Sequence, residues 1–176
     1  MKNIISTIYP FGYTWIDYPD NYSYSLIIYC LGCDNNCVDC QSPQLKDINS
    51  KDQNVKTFDL FSFEQEINKF LKQTRSSNIV LSGGDFLSKS NIDFTREFLK
   101  RNNSKYNVCI YTGHTIDYAK ENNICGFKFI KCNKFNSEFP KASEKTDEYF
   151  QLASTNQELY DSEYKLLSNN GRYWFV

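Results

Sequence analysis

The sequence predicts an α/β protein built on a mostly parallel sheet, and three observations carry that prediction. Short apolar runs recur along the chain, and the first three are continuous rather than alternating, as expected of strands covered on both faces. Segments with helical spacing of apolar residues lie between them. The 176 residues offer four to six such units, too few for a closed eight-unit barrel of about 250 residues. Strand and helix in alternation, joined by right-handed crossovers, then give a curved, open, partial barrel.

The elements follow in order. Tyr24–Tyr29 (YSLIIY), Asn78–Leu81 (NIVL), Val108–Thr112 (VCIYT) and Phe127–Ile130 (FKFI) read as strands. In Ser62–Gln73 (SFEQEINKFLKQ), Phe63, Ile67, Phe70 and Leu71 share one helical face, and Ser62 with Gln65 fits a capping box. Ile92–Arg101 and Thr115–Asn122 read as further helices. Asp47–Lys56 reads as a polar loop, and Lys131–Glu148 as a charged stretch without clear pattern. No repeat or boundary divides the chain, so a single domain over 1–176 is expected, with its core at about 16–160 and a C-terminal tail at 161–176.

Twenty Lys and Arg against 21 Asp and Glu leave a net charge of −1. That balance gives no electrostatic case for nucleic acid or anionic membrane as a partner. No apolar run approaches the roughly 18 residues of a membrane span, and MKNIISTIYPFG has no signal-peptide core. A cytoplasmic location is expected. In that reducing compartment seven cysteines point to metal or redox chemistry rather than to disulfides.

Four of the seven lie in YCLGCDNNCVDCQSP, at Cys30, Cys33, Cys37 and Cys40. Read as two C-x2-C pairs, they suggest a four-thiolate zinc site. Zinc ribbons, however, separate their pairs by many residues, and here three intervene. The bacterial ferredoxin run, C-x2-C-x2-C-x3-C, does not match. The remaining parse is Cys33-x3-Cys37-x2-Cys40, with Cys30 as a small buried hydrophobe at a strand end. Cys109, Cys125 and Cys132 have no ligand spacing and are expected to pack.

The Cys33-x3-Cys37-x2-Cys40 spacing resembles the radical SAM superfamily, and a second motif agrees with it. Ile79-Val80-Leu81-Ser82-Gly83-Gly84-Asp85 is a strand ending in Gly-Gly-acid, placed where that superfamily binds the amino group of S-adenosylmethionine (SAM). The resemblance implies that Cys33, Cys37 and Cys40 hold three irons of a [4Fe-4S] cluster and leave the fourth for SAM. It implies SAM contacts at Ser82, Gly83, Gly84 and Asp85, with Asp39 and Gln41 beside the last cysteine.

Further segments narrow the likeness to the small activating proteins of anaerobic ribonucleotide reductase. They are Asp17-Tyr18-Pro19-Asp20, Gln41-Ser42-Pro43-Gln44-Leu45, Tyr111-Thr112-Gly113, Phe129-Ile130-Lys131 and Ser154-Thr155-Asn156-Gln157. Asp20 stands where glycine is usual, Phe86 where proline often follows Gly-Gly-Asp, and Asp39 where many superfamily members carry an aromatic. The likeness implies reductive SAM cleavage and hydrogen removal from a glycine of the large reductase subunit, the electron coming from a donor such as a flavodoxin. Alternatives are a small-molecule radical SAM enzyme of the 7-carboxy-7-deazaguanine synthase kind, an activase of another glycyl-radical enzyme, and a zinc-binding interaction module. His114, the single histidine, is expected as a cap or surface residue. Tyr9, Tyr13, Trp15 and Tyr18 are candidate partner contacts, with half-buried packing the favoured expectation. With Gly83-Gly84-Asp85 as the SAM edge that the resemblance implies, Gly84→Val is expected to weaken SAM binding and to leave iron content near normal; isothermal titration and iron assay check this.

Overall fold

The computed structural model describes residues 5–8, 12–20, 24–141 and 144–175. Its elements are β1 (Ile5–Ile8), β2 (Gly12–Thr14), β3 (Ser25–Cys30), β4 (Lys56–Asp59), α1 (Leu60–Thr74), β5 (Asn78–Gly83) and α2 (Ile92–Asn102). They continue with β6 (Asn107–Tyr111), α3 (Ile116–Glu121), β7 (Phe129–Cys132), β8 (Glu144–Lys145), β9 (Tyr149–Gln151), β10 (Glu158–Asp161) and β11 (Arg172–Trp174). The main sheet runs β10-β7-β6-β5-β3-β1-β4, with β2 also paired to β3. Its middle strands β3, β5, β6 and β7 are parallel. The flanking pairs are antiparallel.

The apolar runs are continuous because both faces of these middle strands are covered. Leu26, Ile28 and Cys30 of β3 join Ile79, Leu81, Val108, Ile110 and Ile130 in a core completed by Phe63 and Ile67 of α1 and Phe94 and Phe98 of α2. The alternate residues Ile27, Val80, Cys109 and Phe129 face the other way and meet Tyr18, Phe150, Leu152 and Leu159. Cys30 and Cys132 thus pack on the helix side and Cys109 on the opposite side, as their strand parity demands. Cys125 departs from the packing expectation and is exposed.

The second face is closed by a segment that sequence patterning leaves as a tail. β11 pairs with β9 and β9 with β8, giving a three-stranded antiparallel sheet. Tyr173 and Phe175 turn toward the second core while Trp174 stays exposed. Residues 161–175 are therefore part of the packed structure, and the unpatterned 131–148 stretch contains the end of β7 and all of β8.

Other expectations shift for local reasons. α1 begins at Leu60, and its cap is Asp59, whose Oδ1 accepts from the Ser62 amide at 2.8 Å and the Ser62 hydroxyl at 2.6 Å. Ser62 is thus a first-turn residue rather than the cap, because the carboxylate three positions earlier satisfies the orphan amide. Tyr18 is fully buried, whereas Tyr13 and Trp15 are exposed; Tyr9 lies outside the described residues. Asp20 accepts from Asn78 Nδ2 at 2.9 Å and pairs with Lys145 at 3.4 Å. It ties the N-terminal segment to the start of β5 and to the small sheet. Burial lowers the pKa of Lys145, and Asp20 opposes that shift.

Phe63 sits at the centre of the helix-side core, edge-on to both Phe94 and Phe98 at 5.2 Å. Phe63→Ala is expected to lower the unfolding free energy by about 3–5 kcal/mol. Phe61→Ala, at a position 63% exposed, is expected to stay within about 0.5 kcal/mol. Urea denaturation checks both.

Candidate metal centre

Ligands of open α/β sheets bind beyond the carboxyl ends of the parallel strands. Here β3 ends at Cys30, and the chain enters a loop that carries the other three clustered cysteines. The loop returns on itself: Gly32 donates to the Leu45 carbonyl at 2.9 Å, and Cys33 to that of Lys46 at 3.3 Å. The end of β5 packs beneath it. Gly84 donates to Cys30 O at 2.8 Å and Asp85 to Gly32 O at 2.9 Å. A Cβ on Gly84 would lie 2.7–2.9 Å from the carbonyl oxygens of Gly32, Leu45 and Cys30.

Asp85 anchors the loop. Its carboxylate is 1% exposed and has four donors. Oδ2 accepts from Asn35 Nδ2 at 2.6 Å, Thr112 Oγ1 at 2.9 Å and the Gly113 amide at 3.0 Å; Oδ1 accepts from the Leu87 amide at 2.8 Å. Burial raises its pKa, while the Leu87 amide, His114, the Gly113 amide and Thr112 pull it down. The carboxylate contributes to the cavity wall, but its acceptor sites already serve the protein. An ammonium contact there, as the Gly-Gly-acid motif implied, would compete with these four donors. Asn91 makes a second buried tie, donating to Leu31 O at 2.8 Å and Asp85 O at 3.0 Å and accepting from Ser6 Oγ at 3.1 Å.

A cavity of about 290 Å³ opens beside the loop. Cys33, Cys37 and Cys40 line it together with Gln41, Ser82, Gly83, Gly84 and Asp85. Asp39 does not: it is exposed and outside the lining, because the turn between Cys37 and Cys40 directs Val38 and Asp39 to solvent. Cys30 is fully buried in the helix-side core, and burial holds its thiol well above the ordinary range. Strand parity thus separates it from the other three, and a four-thiolate site that includes it would require β3 to turn over. Burial also raises the Cys33 thiol, while a backbone hydrogen bond from Asn35 lowers it.

Among the described residues, no three His, Cys, Asp or Glu groups are grouped to hold one metal ion. A cuboidal iron–sulfur cluster has different needs, since each thiolate takes its own iron. Three soft thiol donors around one cavity, with the nearby buried carboxylate occupied, fit such a cluster.

The chain matches the 4Fe-4S single cluster domain over residues 24–160. The chain belongs to that iron–sulfur family. The matched span begins just before β3 and ends within β10, so it contains all four parallel strands, the cysteine loop and the Gly83-Gly84 turn. No curated protein matches the chain in sequence.

The structure adds residues to this iron–sulfur domain that spacing did not single out. Lys131, on β7, lines the cavity with its ammonium 5.2 Å from the Tyr111 ring. Among the described residues its ammonium has no ion pair or hydrogen bond, and desolvation lowers its pKa while Asp85 opposes that. Tyr29, Tyr111 and Phe150 provide aromatic wall. His114 is neither a cap nor a surface group: its Nε2 lies 3.0 Å from Asp34 Oδ1, and its side chain is 15% exposed. Asn35 was hidden because nothing in Asp34-Asn35-Asn36 distinguishes a clamp from a spacer. Lys131 was visible in Phe129-Ile130-Lys131, but only parity and the cavity reveal its environment.

The contacts of Gly84 replace the expectation that iron content survives its substitution. Even Gly84→Ala forces the cysteine loop off the end of β5, so iron uptake is expected to fall. Asp39→Asn is expected to leave iron content unchanged. Iron and sulfide assays after anaerobic reconstitution distinguish the two.

Proposed function

We propose that this iron–sulfur protein is a radical SAM activating enzyme that generates a glycyl radical on the large subunit of an anaerobic ribonucleotide reductase. One observation carries the reading: three clustered thiols, not four, share a cavity with the Gly83-Gly84 strand end. In the proposal Cys33, Cys37 and Cys40 would hold the [4Fe-4S] cluster, and three thiolates for four irons would leave a coordination position for SAM. The chemistry supplied there is one-electron reductive cleavage of SAM, followed by transfer of a hydrogen atom from the target glycine.

The chain's residues bind, orient and exclude water. The Ser82-Gly83-Gly84 edge offers backbone polar groups at close approach, because its glycines carry no side chain. The Lys131 ammonium, without an ion-pair partner among the described residues, suits the carboxylate of SAM. Tyr29 and Tyr111 give flat apolar surface beside it. Asp85 maintains the loop rather than touching the ligand. The open partial barrel of the radical SAM type would let a glycine loop of the partner enter from the side. A flavodoxin-like donor in the cytoplasm would supply the electron.

Cys33→Ala, Cys37→Ala and Cys40→Ala are each expected to lose the cluster, and Cys30→Ala to retain it, as read by iron content and visible absorption. Mixing the reduced protein, SAM and a candidate reductase without oxygen is expected to give a glycyl-radical doublet in electron paramagnetic resonance. Deoxyadenosine release only with a small-molecule substrate would replace the activase assignment by the small-molecule one. A colourless protein that binds zinc and takes up no iron would end the radical SAM reading.

A further inference from the structure

His114 is the only histidine of the chain, and it lies where three strand-end loops meet. Its backbone is fixed on both sides. The amide donates to Thr112 Oγ1 at 3.1 Å, and the carbonyl accepts from the Asn133 amide at 2.9 Å. Its ring is stacked on Tyr118, with centroids 4.0 Å apart and planes 12° from parallel. Tyr118 is itself held by a 3.3 Å hydrogen bond from its hydroxyl to Leu87 O. The imidazole therefore has little freedom to reorient.

From that fixed position Nε2 reaches two carboxylates, Asp34 Oδ1 at 3.0 Å and Asp85 Oδ2 at 3.9 Å. An ionised carboxylate only accepts, so Nε2 carries the proton. Asp34 Oδ2 accepts from the Lys89 amide at 3.2 Å. One side chain of the cysteine loop is thereby tied to the loop after β5 and the loop after β6. Asp34 immediately follows Cys33, and the neighbouring Asn35 is tied to Asp85. The Cys33-x3-Cys37 spacer is stitched at two consecutive residues, one of them through His114.

We propose that His114 is a positioning residue: through Asp34 it sets the attitude of Cys33 toward the cavity and so tunes the iron–sulfur centre. The inference rests on the iron–sulfur reading for the tuning, though not for the loop geometry. His114 touches no thiol and needs none; it acts by holding the carboxylate next to one.

Three variants test it. His114→Phe keeps a flat ring on Tyr118 but removes the donor. His114→Gln keeps an N–H at similar reach without the ring. Asp34→Asn keeps the loop's shape and removes the charge that His114 meets. In the metal-free protein, hydrogen exchange at residues 33–37 is expected to rise roughly tenfold or more in His114→Phe and Asp34→Asn, the factor carried by a charge-assisted hydrogen bond. It should return toward wild type in His114→Gln. After reconstitution, the midpoint potential and resonance spectrum of the reduced centre should shift in the first two and recover in the third. Exchange within β5 serves as the folding control.

Wild-type exchange and an unshifted centre in His114→Phe would overturn the proposal. So would a Gln variant as impaired as Phe, which would mean that the ring's packing matters and not its donor. If His114→Phe loosens β5 as well, Asp34→Asn decides alone, and wild-type behaviour in it overturns the proposal. Wild-type protein that takes up no iron would refute the iron–sulfur reading and with it the tuning, while the exchange result would still decide whether His114 positions the loop.

Discussion

The arrangement of the cavity depends on one buried carboxylate. Asp85 accepts from the loop after β3 through Asn35, from the loop after β6 through Thr112 and Gly113, and from its own loop through Leu87. A carboxylate removed from water is tolerated only when its lone pairs are met. The energetics are asymmetric: each hydrogen bond contributes modestly, but losing one leaves a buried donor unpaired. The same constraint explains two small residues. Gly84 lets β5 approach the Gly32 and Cys30 carbonyls, and Gly113 lets Asn35 lie within 2.7 Å of where a Cβ would be. The glycines of the Gly-Gly-Asp turn thus serve close packing under the cysteine loop before they serve any ligand.

A second constraint is parity. Each middle strand sends alternate residues to opposite faces, and the two faces have different chemistry. The helix face is a dense apolar core. The other combines Tyr29, Tyr111 and Lys131 with Phe150 of the small sheet and Leu152 just beyond it. Cys30 and Tyr29 are adjacent in sequence yet belong to different environments. That alternation, rather than a difference in chemistry between thiols, separates Cys30 from Cys33, Cys37 and Cys40.

Much of this was legible in the sequence because it is local. The YSLIIYC and NIVLSGG runs show their burial directly, and the helices follow from three- and four-residue spacing. The cysteine spacing distinguishes the cavity-lining thiols from Cys30. What was not legible depends on distant partners. β1, β2 and β4 are short, and pairing with β3 and each other defines them, not composition. The C-terminal strand reads as a tail because Tyr173, Trp174 and Phe175 are all aromatic and show no alternation until β9 lies alongside. Asn35, Asn91 and His114 are polar residues in loops, and only convergence of separate chain segments gives them a role.

The small sheet also determines the order in which the molecule is completed. The cysteine loop occupies the first quarter of the chain, whereas Phe150, Gln151 and Gln157 of the cavity wall come much later. Gln151 is in turn held by Gly171 and Arg172. During synthesis the N-terminal segments emerge first, so the thiols leave the ribosome well before the wall that shelters them exists. Contacts of such long sequence separation form slowly. The nascent chain therefore passes through an interval in which its cysteines are present and unprotected, and iron must be delivered either into that open state or through the mouth of the finished cavity.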